Sequence, residues 1–316
     1  MRAHTDEIAE HLAELRELPV FWRSAPYSED HAPPLYLHGV PTNSDDWGVP
    51  PRAPQQPHVS RTRSALRRLR PGRSHERVDA HAPPPQPASF LARSGGFAVD
   101  LPGFGRSGKP GYLTFTIAEY EGFIESYLEL IGVERVQLVM HDWGAVGLAF
   151  AQRYPERIER IVLIDTVPFL PDFRWHSVAR AWRAPGVGEL AMGITTKLTV
   201  KRASRLNIST PGYLPGSLAE SMLEHFDHGT QRAILRLYRG ASPEALEDAG
   251  RRLAALSMPA LVVWGARDPY IASSFAREYA DLLPDAELAV FENAGHWPWL
   301  DEPRVIDRVV EFLGAK

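Results

Sequence analysis

The 316-residue chain carries 35 Lys and Arg against 39 Asp and Glu, a formal net charge of −4, so no overall basic field draws it to nucleic acid or acidic lipid. Its 44% hydrophobic and 23% charged residues suit one large globular domain, or a core with an accessory unit. Cysteine is absent, which excludes disulfides, thiolate metal sites and a cysteine nucleophile.

In chain order, the first residues are acidic where a signal peptide needs an apolar run, and no stretch of about 18 apolar residues occurs. The expectation is a cytoplasmic protein with no membrane contact. Asp6 to Leu18 places Ile8, Leu12 and Leu15 at helical spacing and predicts a helix ending before Pro19. Short apolar runs follow between turn signals, at Leu35–Leu37, Phe97–Val99, Val136–Met140, Ile161–Ile164, Ala260–Trp264 and Leu288–Phe291. Several are apolar on consecutive residues, as in strands covered on both faces. Helical patterns at Ile117–Ile131, Ala145–Tyr154, Ala272–Leu283 and Arg304–Leu313 alternate with them, predicting an α/β protein with a mainly parallel sheet.

Two stretches break the rhythm. Residues 49–87 are crowded with Pro and Arg and carry few large apolar side chains, so they are predicted to be a disordered insertion. A nucleic-acid arm would need interleaved aromatics, which are missing, and a Pro-rich docking site is the other reading. Residues 168–253 show helical pieces broken by Pro171, Pro185, Pro211 and Pro215, with no strand, as in a helical cap between two core strands. The core is then 1–48, 88–167 and 254–316.

Gly103-Phe104-Gly105-Arg106-Ser107-Gly108-Lys109 imitates a phosphate-binding loop. Phosphate binding needs a helix to start at the glycines, whereas Pro110, Gly111 and Tyr112 continue the loop. The next helix signal is the capping box Thr116-Ile117-Ala118-Glu119. The loop is expected to be a structural turn.

Val139-Met140-His141-Asp142-Trp143-Gly144-Ala145 carries more information. A strand ends, an acidic residue sits at a tight turn, and a helix starts on small residues. This is the form of a nucleophile elbow with Asp142 in the serine position, although an aspartate also serves as a plain helix cap. His38-Gly39-Val40-Pro41 follows a strand and can supply the Val40 N–H, Asp268 follows another, and His296 follows the last. Nucleophile, acid and histidine in that order, each just past a strand, match an α/β-hydrolase triad.

In these segments, and in Asp100–Ser107 (Asp-Leu-Pro-Gly-Phe-Gly-Arg-Ser), the chain resembles α/β-hydrolases of the epoxide hydrolase and haloalkane dehalogenase branch. The resemblance covers Pro34–Thr42 and residues 97–316. Met140 departs from the small residue often found two positions before the nucleophile. The fold it implies is a mainly parallel sheet flanked by helices, with an inserted helical lid.

An aspartate is ionised at neutral pH and needs no base to attack. At a carbonyl it would form a mixed anhydride, but at a saturated carbon bearing a leaving oxygen or halide it forms an ordinary ester that water can cleave. The resemblance implies Asp142 as nucleophile, His296 as the base that activates water, and Asp268 as its acid. Val40 and Trp143 N–H groups would form the oxyanion hole, with His38, Gly39 and Pro41 shaping its loop. For epoxide opening, Tyr238 in Arg236-Leu237-Tyr238-Arg239 and His176 in Trp175-His176-Ser177 are the implied oxygen donors. For halide release, Trp143, Trp175 and Trp182 are the candidates, while Val40 stands where many dehalogenases carry Asn. The expected partners are a small apolar epoxide or haloalkane and water. No cofactor and no metal is expected, since the 12 histidines contain no H-x-x-x-H pair. A catalytically silent binding protein on the same fold is the third reading.

Overall fold

The computed structural model describes residues 8–48, 89–195 and 216–314. The expectation of a disordered 49–87 insertion lies outside the described residues. Eight strands form one sheet: β1 (Ala9–Leu15), β2 (Leu18–Ala25), β3 (Pro34–Leu37), β4 (Gly96–Val99), β5 (Val136–His141), β6 (Ile158–Ile164), β7 (Ala260–Gly265) and β8 (Ala286–Phe291). Their order is β1-β2-β4-β3-β5-β6-β7-β8, with β1 and β2 antiparallel to their neighbours and the rest parallel. Among the described residues the helices are α1 (Asp45–Gly48), α2 (Phe90–Ser94), α3 (Ile117–Leu130), α4 (Val146–Arg153), α5 (Ser177–Arg183), α6 (Val187–Gly193), α7 (Gly216–Glu224), α8 (His228–Gly240), α9 (Pro243–Ala249), α10 (Ser274–Leu282), α11 (Pro298–Asp301) and α12 (Arg304–Leu313).

The consecutive apolar strand residues divide between the two faces of the sheet. Leu138, Met140, Ile161, Leu163 and Val262 enter one core, while Val139, Val162, Ile164, Leu261 and Val263 enter the other. Both faces are dry, which is why these strands lack polar alternation. All six predicted strands are present. The helical patterns that alternate with them match α3, α4, α10 and α12, and the Thr116–Glu119 capping box opens α3.

The N-terminal expectation needs correction: the predicted Asp6–Leu18 helix is a hairpin of β1 and β2. Arg16 and Glu17 take left-handed φ values of 50° and 67°, forming a two-residue turn that pairs Leu15 with Leu18. The helical spacing misled because Leu12 belongs to the open face, 67% exposed, between Glu10 and Glu14. Pairing with β2, whose Leu18, Val20 and Phe21 are buried, decides the outcome.

Between β6 and β7 the described residues hold α5–α9 and no strand. Pro211 and Pro215 lie outside the described residues. The Gly103–Leu113 loop starts no helix, as expected, and it seats α8. The Gly103 carbonyl accepts from Thr230 Oγ1 at 3.0 Å and the Lys109 carbonyl from Arg232 at 2.7 Å. Gly111 and Leu113 carbonyls both accept from Arg236 at 2.6 Å. Several of the loop's N–H groups turn inward, Gly103 to Gly108 O, Ser107 to Phe104 O, Gly108 to Pro19 O and Arg106 to the Asp100 carboxylate. No described helix is long and apolar enough to cross a membrane.

Candidate active site

The strand order reverses direction between β3 and β5, so the loops leaving these neighbouring strands diverge and open a crevice at their C-terminal ends. Leu37 pairs with Met140, which brings His38–Val40 alongside His141 and Asp142. Asp142 sits at φ 48° on the turn from β5 toward α4. This strained left-handed position lifts its carboxylate out of the strand. Two glycines permit the approach. A Cβ on Gly39 would stand 2.5 Å from Asp142 Cβ, and one on Gly144 would stand 2.1 Å from the Leu37 carbonyl oxygen. Met140, the departure from the family pattern, is fully buried with its sulfur against Gly147.

The Val40 N–H donates to Asp142 Oδ1 at 2.8 Å. Its loop is held by His38, whose Nε2 accepts the Leu101 N–H at 2.9 Å, leaving Nδ1–H to donate to the Gly39 carbonyl at 2.7 Å. Burial lowers the His38 pKa and keeps it neutral, as both bonds require. A cis peptide joins Val40 to Pro41.

On the other side, His296 Nε2 lies 3.5 Å from Asp142 Oδ2, and its Nδ1 lies 2.7 Å from Asp268 Oδ2. Asp268 Oδ1 accepts the N–H groups of Tyr270 at 2.7 Å and Ile271 at 3.1 Å. Burial alone would lower the His296 pKa, but the Asp268 charge and the contacts with both carboxylates hold it well above its ordinary value. Burial would likewise raise Asp142, yet the His296 imidazolium and the Val40 N–H leave it below the usual carboxylate range. His296 thus stands between Asp142 and Asp268, a placement that favours its protonated form.

Three residues to which the sequence assigned no role join this cluster. His141 Nε2 contacts the His296 carbonyl at 2.7 Å and, driven down to about 3 by burial and the neighbouring His296 charge, stays neutral and donates there. Tyr270 stands between the rings of His176 and His296, with centroids 5.1 and 5.0 Å away. Asp165, just past β6, is fully buried, accepts the Gly265 N–H at 3.0 Å, and shares a cluster with Asp268 and His296 whose polar atoms lie within 4.8 Å of one another. Two carboxylates at that distance repel by roughly 3–4 kcal/mol at an effective dielectric of about 20. Burial and the Asp268 charge accordingly hold the Asp165 carboxyl well above its usual range. The signal for Asp165 was available: it is another acid just past a core strand.

Above Asp142 stand the cap aromatics. Tyr238, on α8 and 3% exposed, meets Trp143, Trp175 and Trp182 at centroid distances of 5.3, 4.9 and 5.0 Å. Burial, then the Asp142 charge, raises its pKa well above the ordinary value, so it is a protonated hydroxyl. The Trp143 indole N–H is buried with no hydrogen-bond partner, although it lies near enough to the Tyr238 hydroxyl to favour its ionised form. His176 caps α5, its Nδ1 facing the Ala179 N–H at 3.4 Å. Burial lowers its pKa to about 4, so the ring is neutral with its hydrogen on Nε2. Trp175 departs from expectation as a halide donor, because its indole N–H is spent on the Ala241 carbonyl at 3.0 Å. Trp182 packs edge-on against Tyr238.

Residues 88–303 match the family model described as the alpha/beta hydrolase fold. An uncharacterized protein of Mycobacterium tuberculosis is 27% identical over 231 residues, 68% of this chain and 66% of that one, so the chain spans just under two thirds of that relative. A 2-hydroxy-6-oxononadienedioate/2-hydroxy-6-oxononatrienedioate hydrolase of Paraburkholderia phymatum is 28% identical over 68% of this chain and 75% of its own. Epoxide hydrolase 1 of Caenorhabditis elegans is 23% identical over 68% and 57%. Among solved structures, haloalkane dehalogenase DbeA from Bradyrhizobium elkani superposes with a TM-score of 0.71 at 22% identity, covering 97% of this chain and 98% of that one. The epoxide hydrolase CorEH gives 0.71 at 19% identity with the same coverage. With the elbow, the strand order and the family model in agreement, the chain belongs to the alpha/beta hydrolase fold family.

Proposed function

We propose that this hydrolase opens epoxides to vicinal diols through a covalent ester on Asp142. One observation carries the reading: the Asp142 carboxylate has one oxygen on the Val40 N–H and the other facing His296 Nε2, and Tyr238 packs on Trp143, the residue next to it. Oδ2 attacks an epoxide carbon, the ring C–O bond breaks, and the departing oxygen takes the Tyr238 proton, with His176 Nε2–H as second donor. Ester formation removes the Asp142 charge. That charge raises both Tyr238 and His296, so its loss makes Tyr238 a better acid as the alkoxide develops and frees His296 to give up its proton.

The His296 proton then returns to the Tyr238 phenolate. Neutral His296, oriented by Asp268, takes a proton from water as hydroxide adds to the ester carbon. The oxyanion forms on Oδ1 against the Val40 N–H, with the Trp143 N–H on the same turn. One such donor is worth about 3–4 kcal/mol of barrier. Collapse releases the diol oxygen, which takes the proton of the re-formed acid, and the resting charges return. A carbon–carbon hydrolase would require attack at a carbonyl, for which a carboxylate is poorly suited.

Haloalkane dehalogenation is the second reading, favoured by the unpartnered Trp143 N–H. The commitment of Trp175 to Ala241 weighs against it. The test is His296→Gln, exposed to a panel of epoxides and haloalkanes, with the Asp142 peptide weighed. A trapped ester carrying the mass of an epoxide is expected. An ester from haloalkanes alone would replace the first reading with the second, and an unmodified peptide with every compound in a folded protein would reject both.

A further inference from the structure

We propose that Asp165 is a positioning residue for ester hydrolysis: it holds a proton that it donates to Asp268, and the resulting acid–carboxylate pair fixes the His296 ring. The proposal rests on the reading of His296 as the base above.

The donors around the two acids are unequally shared. Asp268 accepts three, from Tyr270 N, Ile271 N and His296 Nδ1, a donor set that suits a carboxylate. Asp165 is fully buried, and its two oxygens share the single Gly265 N–H at 3.0 and 3.3 Å. A buried carboxyl with one donor and a carboxylate neighbour is the member of the pair that stays neutral. Neutral, it has an O–H to place, and Asp268 is the neighbouring acceptor in a cluster with His296 whose polar atoms lie within 4.8 Å. The raised Asp165 pKa, from burial and then the Asp268 charge, agrees.

The turn carrying Asp165 is also fixed to both ends of the site. Asp165 N–H donates to the Val263 carbonyl on β7 at 3.1 Å, and Val167 N–H donates to the Asp142 carbonyl at 3.0 Å. Asp165 thus links the strand that delivers the acid to the turn that delivers the nucleophile, and the fourth donor on Asp268 limits its rotation about the His296 bond.

Two variants test this by single-turnover measurement of ester formation and decay. Asp165→Leu should slow decay by about 10–100-fold while ester formation stays within a few-fold, as misorientation of a base predicts. Asp165→Asn, a neutral donor of similar shape, should restore most of that loss. Equal slowing in both variants, or unaltered decay in Asp165→Leu, overturns the proposal. A substrate-free measurement stands beside it: the infrared difference between wild type and Asp165→Asn at neutral pH should show the carbonyl band of a protonated carboxylic acid, shifted by deuteration. Absence of that band overturns the proposal even if Asp165→Leu fails to fold. If no compound forms an ester, the functional reading fails, and the band still decides where the proton resides.

Discussion

Below the proposed substrate position, the candidate triad and its loop are tied down by main-chain hydrogen bonds, with Val40 N–H on Asp142, Tyr270 and Ile271 N–H on Asp268, and Leu101 N–H on His38. Above it, Tyr238 stands among the rings of Trp143, Trp175 and Trp182 on a helix whose arginines reach for the carbonyls of one loop. The lower half is set by main-chain N–H groups at the ends of the strands. The upper half depends on side-chain identity and shape. On the proposed mechanism, reactivity is fixed below, while the choice of leaving group is left to residues that substitution can change without disturbing the sheet.

Perturbing the lower half should cost most. In Gly39→Ala the new methyl would stand 2.5 Å from Asp142 Cβ, displacing either the carboxylate or the Val40 N–H. Epoxide turnover should fall by about 10²–10³-fold in steady-state assays. A loss under threefold would show that the loop tolerates what the geometry forbids, and the contrast between the halves would weaken.

In the upper half, Tyr238→Phe removes the proposed acid but keeps the ring. Single-turnover ester formation from epoxides should slow by about 10²-fold, with ester decay nearly unchanged. Slowing confined to decay would move Tyr238 into the lower half's chemistry. The smallest effect concerns pH. His176 is lowered to about 4 in the folded protein, so between roughly pH 6.5 and 4 the unfolded chain binds a proton that the folded chain refuses. Stability should therefore fall as pH drops through this window. The raised His296 contributes fully below its unfolded value and adds no slope there. Urea midpoints for His176→Gln should show a shallower decline; an unaltered slope would assign it to other buried histidines, His141 among them.

The contrast also explains what the sequence revealed. Asp142 was legible because strand, turn and small-residue helix start are contiguous, and Asp268 and His296 because each lies in the loop that leaves a strand. The commitment of the Trp175 N–H was not, since its acceptor, Ala241, lies 66 residues away. Nor was the N-terminal hairpin, because Ile8, Leu12 and Leu15 fit a helical period by coincidence and only pairing with β2 selects the strand. Asp165 obeys the same strand-end rule as Asp268, and only its nearness to Asp268 and His296 distinguishes it from a turn residue.

The seat beneath α8 has a consequence for the phosphate-loop imitation at Gly103–Lys109. A true anion cradle turns amide hydrogens toward its guest. Here the oxygens of Gly103, Lys109, Gly111 and Leu113 point at the cap and amide hydrogens of Gly103, Arg106, Ser107 and Gly108 are consumed within the core. The polarity of the motif is inverted, so a nucleotide approaching from the cap side would meet lone pairs. What the loop offers the cap is a row of carbonyls, which take the Thr230 hydroxyl and the guanidinium groups of Arg232 and Arg236.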